Sequence, residues 1–166
     1  MNKLLFAVLA LAGIGAANAQ VKVGVVNLQK ALLDTDELKK AQVEMEARYK
    51  PRQDQMAKIQ KELQDIQTQL QSGKLNQVGE AEMNAEGQRK QRDLQRLQQD
   101  LQEDVDRERN DTLQRAGMRM QEVVRKLADE KGLDLIVDTT NTLFFRPSLE
   151  LTTEATNAYN KAYPVK

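Results

Sequence analysis

The stretch MAKIQKELQDIQTQL, Met56 to Leu70, carries large apolar side chains at Met56, Ile59, Leu63, Ile66 and Leu70, with almost nothing but Gln, Lys, Glu and Asp between them. The spacing 3, 4, 3, 4 is the two-in-seven seam of a coiled coil, narrower than the stripe of a helix lying on a globular core. Such a helix needs a slender partner. The same heptad runs backwards through Leu38, Gln42, Met45, Tyr49 and Arg52, with Pro51 predicting a kink or a restart of the helix. Forwards it lapses over residues 72–82, where Gly73 and Gly79 mark a turn. It resumes at Leu94, Leu97, Leu101 and Val105, then slips phase before Leu113, Ala116, Met120, Val123 and Leu127. Two helices joined by one tip make an antiparallel hairpin, residues 36–131 with the tip near 72–80. At ~1.5 Å per residue each arm is roughly 50 Å long.

Strand-like sequence flanks this helical insertion on both sides. Val21, Val23 and Val25 alternate on one face, and a polar switch at Asn27 leads into helical spacing, with Asp34-Thr35-Asp36 as the cap of the first arm. Lys131-Gly132 is a helix stop. After it, LDLIVDTTNTLFFRP reads as two strands around a turn near Thr140-Asn141, with Leu133, Leu135 and Val137 on one face. A final short helix, LTTEATNAYNKAY, is expected to be capped by Thr152 or Thr153. The fold class is therefore α+β: a small β-sheet body, residues 20–35 and 132–166, bearing a long α-helical hairpin.

The first nineteen residues, MNKLLFAVLALAGIGAANA, have an early cation, a short apolar run and the ending Ala17-Asn18-Ala19. This is the layout of a secretory signal peptide, with cleavage expected after Ala19. The apolar run falls well short of the ~20 residues needed to span a bilayer. There are no Cys, His or Trp residues, and Lys plus Arg balance Asp plus Glu at 25 each. An exported chain without Cys must be stabilised by packing, within or between subunits. A balanced charge also argues against nucleic acid as a partner.

Catalytic chemistry has little to work with. The usual general base, thiol nucleophile and soft metal ligands are missing, and the carboxylates Glu103, Asp104, Asp106 and Glu108 alternate with Arg107 and Arg109 as on a solvated helix face. No phosphate-cradling glycine loop is present. The sequence predicts a non-enzyme that uses no cofactor and holds no metal. Arg89, Lys90, Arg92 and Arg96 form a candidate anion patch, set against the reading of a solvated face because Glu86 and Asp93 lie among them.

Folding the hairpin about residues 76–77 places Ile59 opposite Leu94, Met56 opposite Leu97 and Tyr49 opposite Val105. Nearer the tip Leu63 falls opposite Lys90, and Ile66 opposite Gly87. Each Leu or Ile without a partner forgoes roughly 1.5–3 kcal/mol of burial. Either inter-arm packing covers these residues after all, or the tip is loosely held and presents apolar side chains to variable partners. The candidate binding surface comprises Met56, Ile59, Leu63, Ile66, Leu70, Leu75, Val78, Met83, Leu94 and Leu97.

The opening strand with its Asn, VKVGVVNLQKAL, the strand LDLIVD and the helix entry ELTTE resemble the Skp/OmpH-like periplasmic chaperones, and the likeness extends over essentially the whole chain after residue 19. That resemblance implies an ATP-independent holdase that keeps unfolded outer-membrane β-barrel proteins soluble in the periplasm. It also implies a homotrimer whose strands form a central barrel and whose arms surround a client cavity. Carried over by position, Val23, Val25, Leu133, Leu135, Val137, Phe144 and Phe145 would make the body and its subunit contacts. The better-known relatives are basic and attract lipopolysaccharide, whereas residues 50–110 here hold 11 Lys/Arg against 12 Asp/Glu. A lipopolysaccharide or membrane-surface contact then falls to the local patch Arg89, Lys90, Arg92 and Arg96. The alternative is a structural or adaptor coiled coil of the envelope, whose zipper would be well formed to the tip; a hydrolase using the carboxylates is a distant third.

Overall fold

The computed structural model describes residues 20–165, so the signal-peptide expectation lies outside the described residues. Strand β1 (Val23–Val26) leads into helix α1 (Leu28–Leu33), whose first turn is capped by Asn27 accepting from the Lys30 N–H. Thr35 then caps helix α2 (Asp36–Gln71) by accepting from the Leu38 N–H. Helix α3 (Gln77–Lys131) returns, with Asn76 as its cap. Gly73, at φ 65°, occupies the left-handed conformation the tip requires. Strand β2 (Leu135–Asp138) and helix α4 (Thr152–Ala162) complete the chain, with 3₁₀ turns at Thr139–Asn141 and Pro147–Leu149 between them.

Pro51 lies inside α2, which neither ends nor restarts there. Its position is exposed, so solvent can satisfy the Ala47 carbonyl that loses its N–H partner to the ring. At the other end of the hairpin Gly132, at φ 60°, turns the chain out of α3. Its N–H and that of Leu133 close on the last carbonyls, Leu133 donating to Ala128 at 2.9 Å.

β1 and β2 pair in parallel, with Val23 opposite Leu135 and Val25 opposite Val137. A parallel pair needs a long crossover, and here the crossover is the whole hairpin. Gly24, Val26 and Ile136 face the core, and a Cβ at Gly24 would come within 2.6 Å of the Leu151 side chain. On the other edge of β1, Glu150 bridges to Val25, and the Leu151 N–H donates to the Val25 carbonyl at 2.8 Å.

Three expectations for the body need correction. Residues 142–146 form no strand, so Phe144 and Phe145 are not sheet residues; Leu143 and Phe144 stand exposed, with no neighbouring strand among the described residues to pair with. Leu133 does not share a face with Leu135 and Val137: it precedes β2 and packs with Ile136 against the core, while Leu135 is half exposed. Neither Thr152 nor Thr153 caps α4, since Leu151 holds the N-cap position without a side-chain bond. The Thr152 hydroxyl instead accepts from the Asn27 N–H at 3.0 Å, tying α4 to the end of β1.

The core lies where α3 leaves the hairpin. Ala116, Met120, Val123 and Leu127 line one face of α3 and pack against Ala155 and Tyr159 of α4, with Val26, Ala31 and Leu151 closing the cluster. Beside it Glu37, in the first turn of α2, accepts both contacts from Arg119 at 2.9 Å and the Tyr159 hydroxyl at 2.6 Å. Burial works against ionisation of Glu37, but the bonds from Tyr159 and Arg119 outweigh it and hold the carboxyl below its ordinary range. Burial and the adjacent Glu37 carboxylate push the Tyr159 hydroxyl up to about 12. Arg119 also stacks over the Tyr163 ring, 4.8 Å from its centre. This cluster anchors the root of the arm.

Candidate functional site: the helical arm

The site is the hairpin itself, and its geometry changes from root to tip. Just beyond the Glu37 anchor, an open groove of about 440 Å³ runs between α2 and α3, with Leu38, Met45 and Tyr49 on one side and Val105 and Leu113 on the other. Tyr49 and Val105 both line this groove. A polar clasp follows: Glu108 accepts from the Tyr49 hydroxyl at 2.7 Å and pairs with Arg48, and Arg52 pairs with Asp104 one turn further out. The hydrogen bond to Glu108, together with burial, holds the Tyr49 hydroxyl above its ordinary range.

In the middle of the rod Met56, Ile59, Leu63, Leu94 and Leu97 are all half-buried, as expected of a two-helix seam whose outer side has no third helix. Toward the tip Ile66 takes the first of the two alternatives, cover by inter-arm packing. Ile66 faces Gly87, but it is buried, at 8% exposure, not left without a partner. A glycine opposite a large side chain is a place where helices can approach, so the backbone of α3 covers Ile66. Lys90, expected opposite Leu63, reaches Glu62 and donates to its carboxylate at 2.7 Å, with Glu86 a second partner at 3.5 Å. That bond raises the Lys90 ammonium and lowers the Glu62 carboxyl from their ordinary values.

Lys90 is therefore committed across the arm and does not stand in an open anion patch. Arg96 pairs along its own helix with Asp100, while Arg89 and Arg92 lie exposed. At the tip Leu70, Leu75 and Met83 are half-buried and Val78 is exposed. Among the described residues no group of acidic side chains is placed to hold a metal ion, and no helix is long and apolar enough to cross a membrane.

The groove at the root escaped the sequence reading. Its residues lie on the same heptad as the seam, but periodicity says which side chains face the partner helix, not how far away that helix is. Short side chains at Ala41 and Thr112 in the lining were the available signal.

Comparison with known proteins agrees with this architecture. The profile described as "Outer membrane protein (OmpH-like)" matches residues 22–159. A curated relative, the "Skp-like protein" of Pseudomonas aeruginosa, is 24% identical over 148 residues, covering 88% of each chain. Among solved structures, a candidate OmpH-like outer membrane chaperone from Caulobacter crescentus superposes with a TM-score of 0.73 at 14% identity, covering 89% of each chain. With a profile match that spans both body and hairpin, the chain belongs to the OmpH-like family of outer membrane proteins.

Proposed function

We propose that the protein is an ATP-independent holdase chaperone of the periplasm, exported by a signal peptide cleaved after Ala19, that binds unfolded outer-membrane β-barrel proteins between its arms. The observation that carries this reading is the half-buried apolar seam, Met56, Ile59, Leu63, Leu94 and Leu97, on a hairpin projecting from a small body. Seam residues on an isolated two-helix rod retain apolar surface that a third body can cover. In the body, half-exposed Leu135 and the exposed Leu143 and Phe144 support a homotrimer, because a two-stranded sheet is marginal alone. Client chains would occupy the space between three arms. The near-neutral arms favour apolar contact over long-range attraction, and Arg89, Arg92 and Arg96 remain for a weak contact with lipopolysaccharide or a membrane surface.

The deciding experiment dilutes a urea-denatured outer-membrane β-barrel protein into buffer with the mature chain and no nucleotide, and follows turbidity. Suppression of aggregation at stoichiometric trimer is expected. No protection at that ratio overturns the reading.

A second reading, a structural or adaptor coiled coil of the envelope, gains support from one observation: Ile66 on Gly87 and Glu62 with Lys90 zip the arm further toward the tip than a loose client surface would need. Slow amide exchange right through residues 60–90, with one stable partner captured in place of many weak ones, would favour it.

A further inference from the structure

We infer that the groove at the root of the arm is the seat for an extended apolar segment of an unfolded polypeptide. This deepens the holdase reading and rests on it: the root, not the tip, would supply the deepest client contact. Beyond the Glu37–Arg119 anchor lies a groove of about 440 Å³, and the Tyr49–Glu108 bond crosses its outer part. A volume of that order suits the enclosure of a few apolar side chains. Its walls are Leu38, Met45, Tyr49, Val105 and Leu113, and a methionine adapts to side chains of differing shape.

The rim decides the class of occupant. The helical backbones of α2 and α3 use their own amide groups, so polar contacts to a guest must come from side chains. Gln42, Gln53, Glu46 and Arg109 stand there, offering both donors and acceptors, as an extended peptide backbone requires. The one acid and one base among them balance, and Glu46 already accepts from Gln42 at 3.1 Å. An anionic lipid headgroup would call for an excess of cations, and the nearby Arg48 is held by Glu108. A neutral chain with apolar side chains fits this charge pattern.

The test places a benzophenone photocrosslinking residue at position 42 or 53, on the rim, and at Val43, which is exposed on α2 outside the groove lining. The full chain is mixed with an outer-membrane β-barrel protein diluted from urea. Crosslinks to the client at 42 and 53 several-fold above those at 43 are expected. The double variant Met45→Gln, Val105→Gln is expected to lower client affinity about tenfold at unchanged oligomeric state. Equal or weaker crosslinking at the rim overturns the proposal. So does rim crosslinking to a second copy of this chain, or preferential crosslinking to lipid in phosphatidylglycerol vesicles. Aggregation suppressed without rim crosslinks overturns the groove alone, whereas no suppression at all overturns the holdase reading with it.

Discussion

Ile66 of α2 packs on Gly87 of α3, its Cγ2 lying 3.4 Å from the point a Cβ at residue 87 would occupy. A methyl group there makes an ordinary contact, but anything longer must displace Ile66 or separate the arms. Gly87→Leu should therefore open the distal hairpin and speed amide exchange over residues 60–90 by tenfold or more, a fall of about 1.4 kcal/mol in the free energy of local opening. Gly87→Ala should instead stabilise α3 by about 0.5–1 kcal/mol, because a helical glycine is replaced at little steric cost. Unchanged exchange in Gly87→Leu would show that the arms do not meet at this level.

Glu37 predicts a pH dependence of defined sign. Its carboxyl titrates below the ordinary 4.5 in the folded chain, so the unfolded chain takes up the proton first as pH falls. The stabilisation is present in full above about 4.5 and is lost as pH falls through the lower folded value. Glu37→Gln should cost about 1–3 kcal/mol at pH 7, leaving Arg119 and Tyr159 poorly satisfied. The gap between wild type and variant should narrow below pH 4.5. Urea unfolding of both proteins at several pH values checks this, since the other lowered carboxyls cancel in the difference.

Gly24 has no room for a side chain. A Cβ would meet Leu151 Cδ1 at 2.6 Å and Leu133 Cδ1 at 3.0 Å, and Leu151 is itself buried in the core. Gly24→Ala should destabilise the body by about 1–3 kcal/mol through overpacking, read as a lower denaturation midpoint at unchanged slope.

Phe144 tests the trimer. It is 82% exposed in the single chain, and burying an aromatic side chain between subunits contributes roughly 1.5–3 kcal/mol. Phe144→Ser should shift the sedimentation profile toward monomer while leaving helix content unchanged. A variant that sediments as the wild type does would remove this residue from the subunit contact.

Local signals made much of the fold legible. Asn27, Thr35 and Gly132 mark helix ends in the sequence and act as such in the structure; the heptad carried both arms, and the flanking valines the sheet. What failed depended on distance or on partners beyond the local window. The apolar run Leu143-Phe144-Phe145 suits a strand, but among the described residues no neighbouring strand is there to receive it. Thr152 has the chemistry of a cap, yet tertiary contact diverts its hydroxyl to the Asn27 amide. Along the arm the register was readable to the level of Ile66 and Gly87, while the choice between a covered and an exposed Ile66 was not: glycine is the absence of a side chain but also the presence of an accessible backbone. The root groove was illegible for the complementary reason, since a hollow between two helices is written in no single residue.

The two arms differ in length. α2 has 36 residues and α3 has 55, so α3 alone runs unbroken from the tip into the core at Ala116–Leu127. It works as a lever with its fulcrum in the body. From Gln77 to Ala116 the helix covers about 60 Å at 1.5 Å per residue, so a tilt of about 10° at the fulcrum would sweep the tip through about 10 Å. Repacking of a few side chains around Met120 and Tyr159 would thus be magnified at the far end. The position of the tip is set from the buried core, at the opposite end of the molecule.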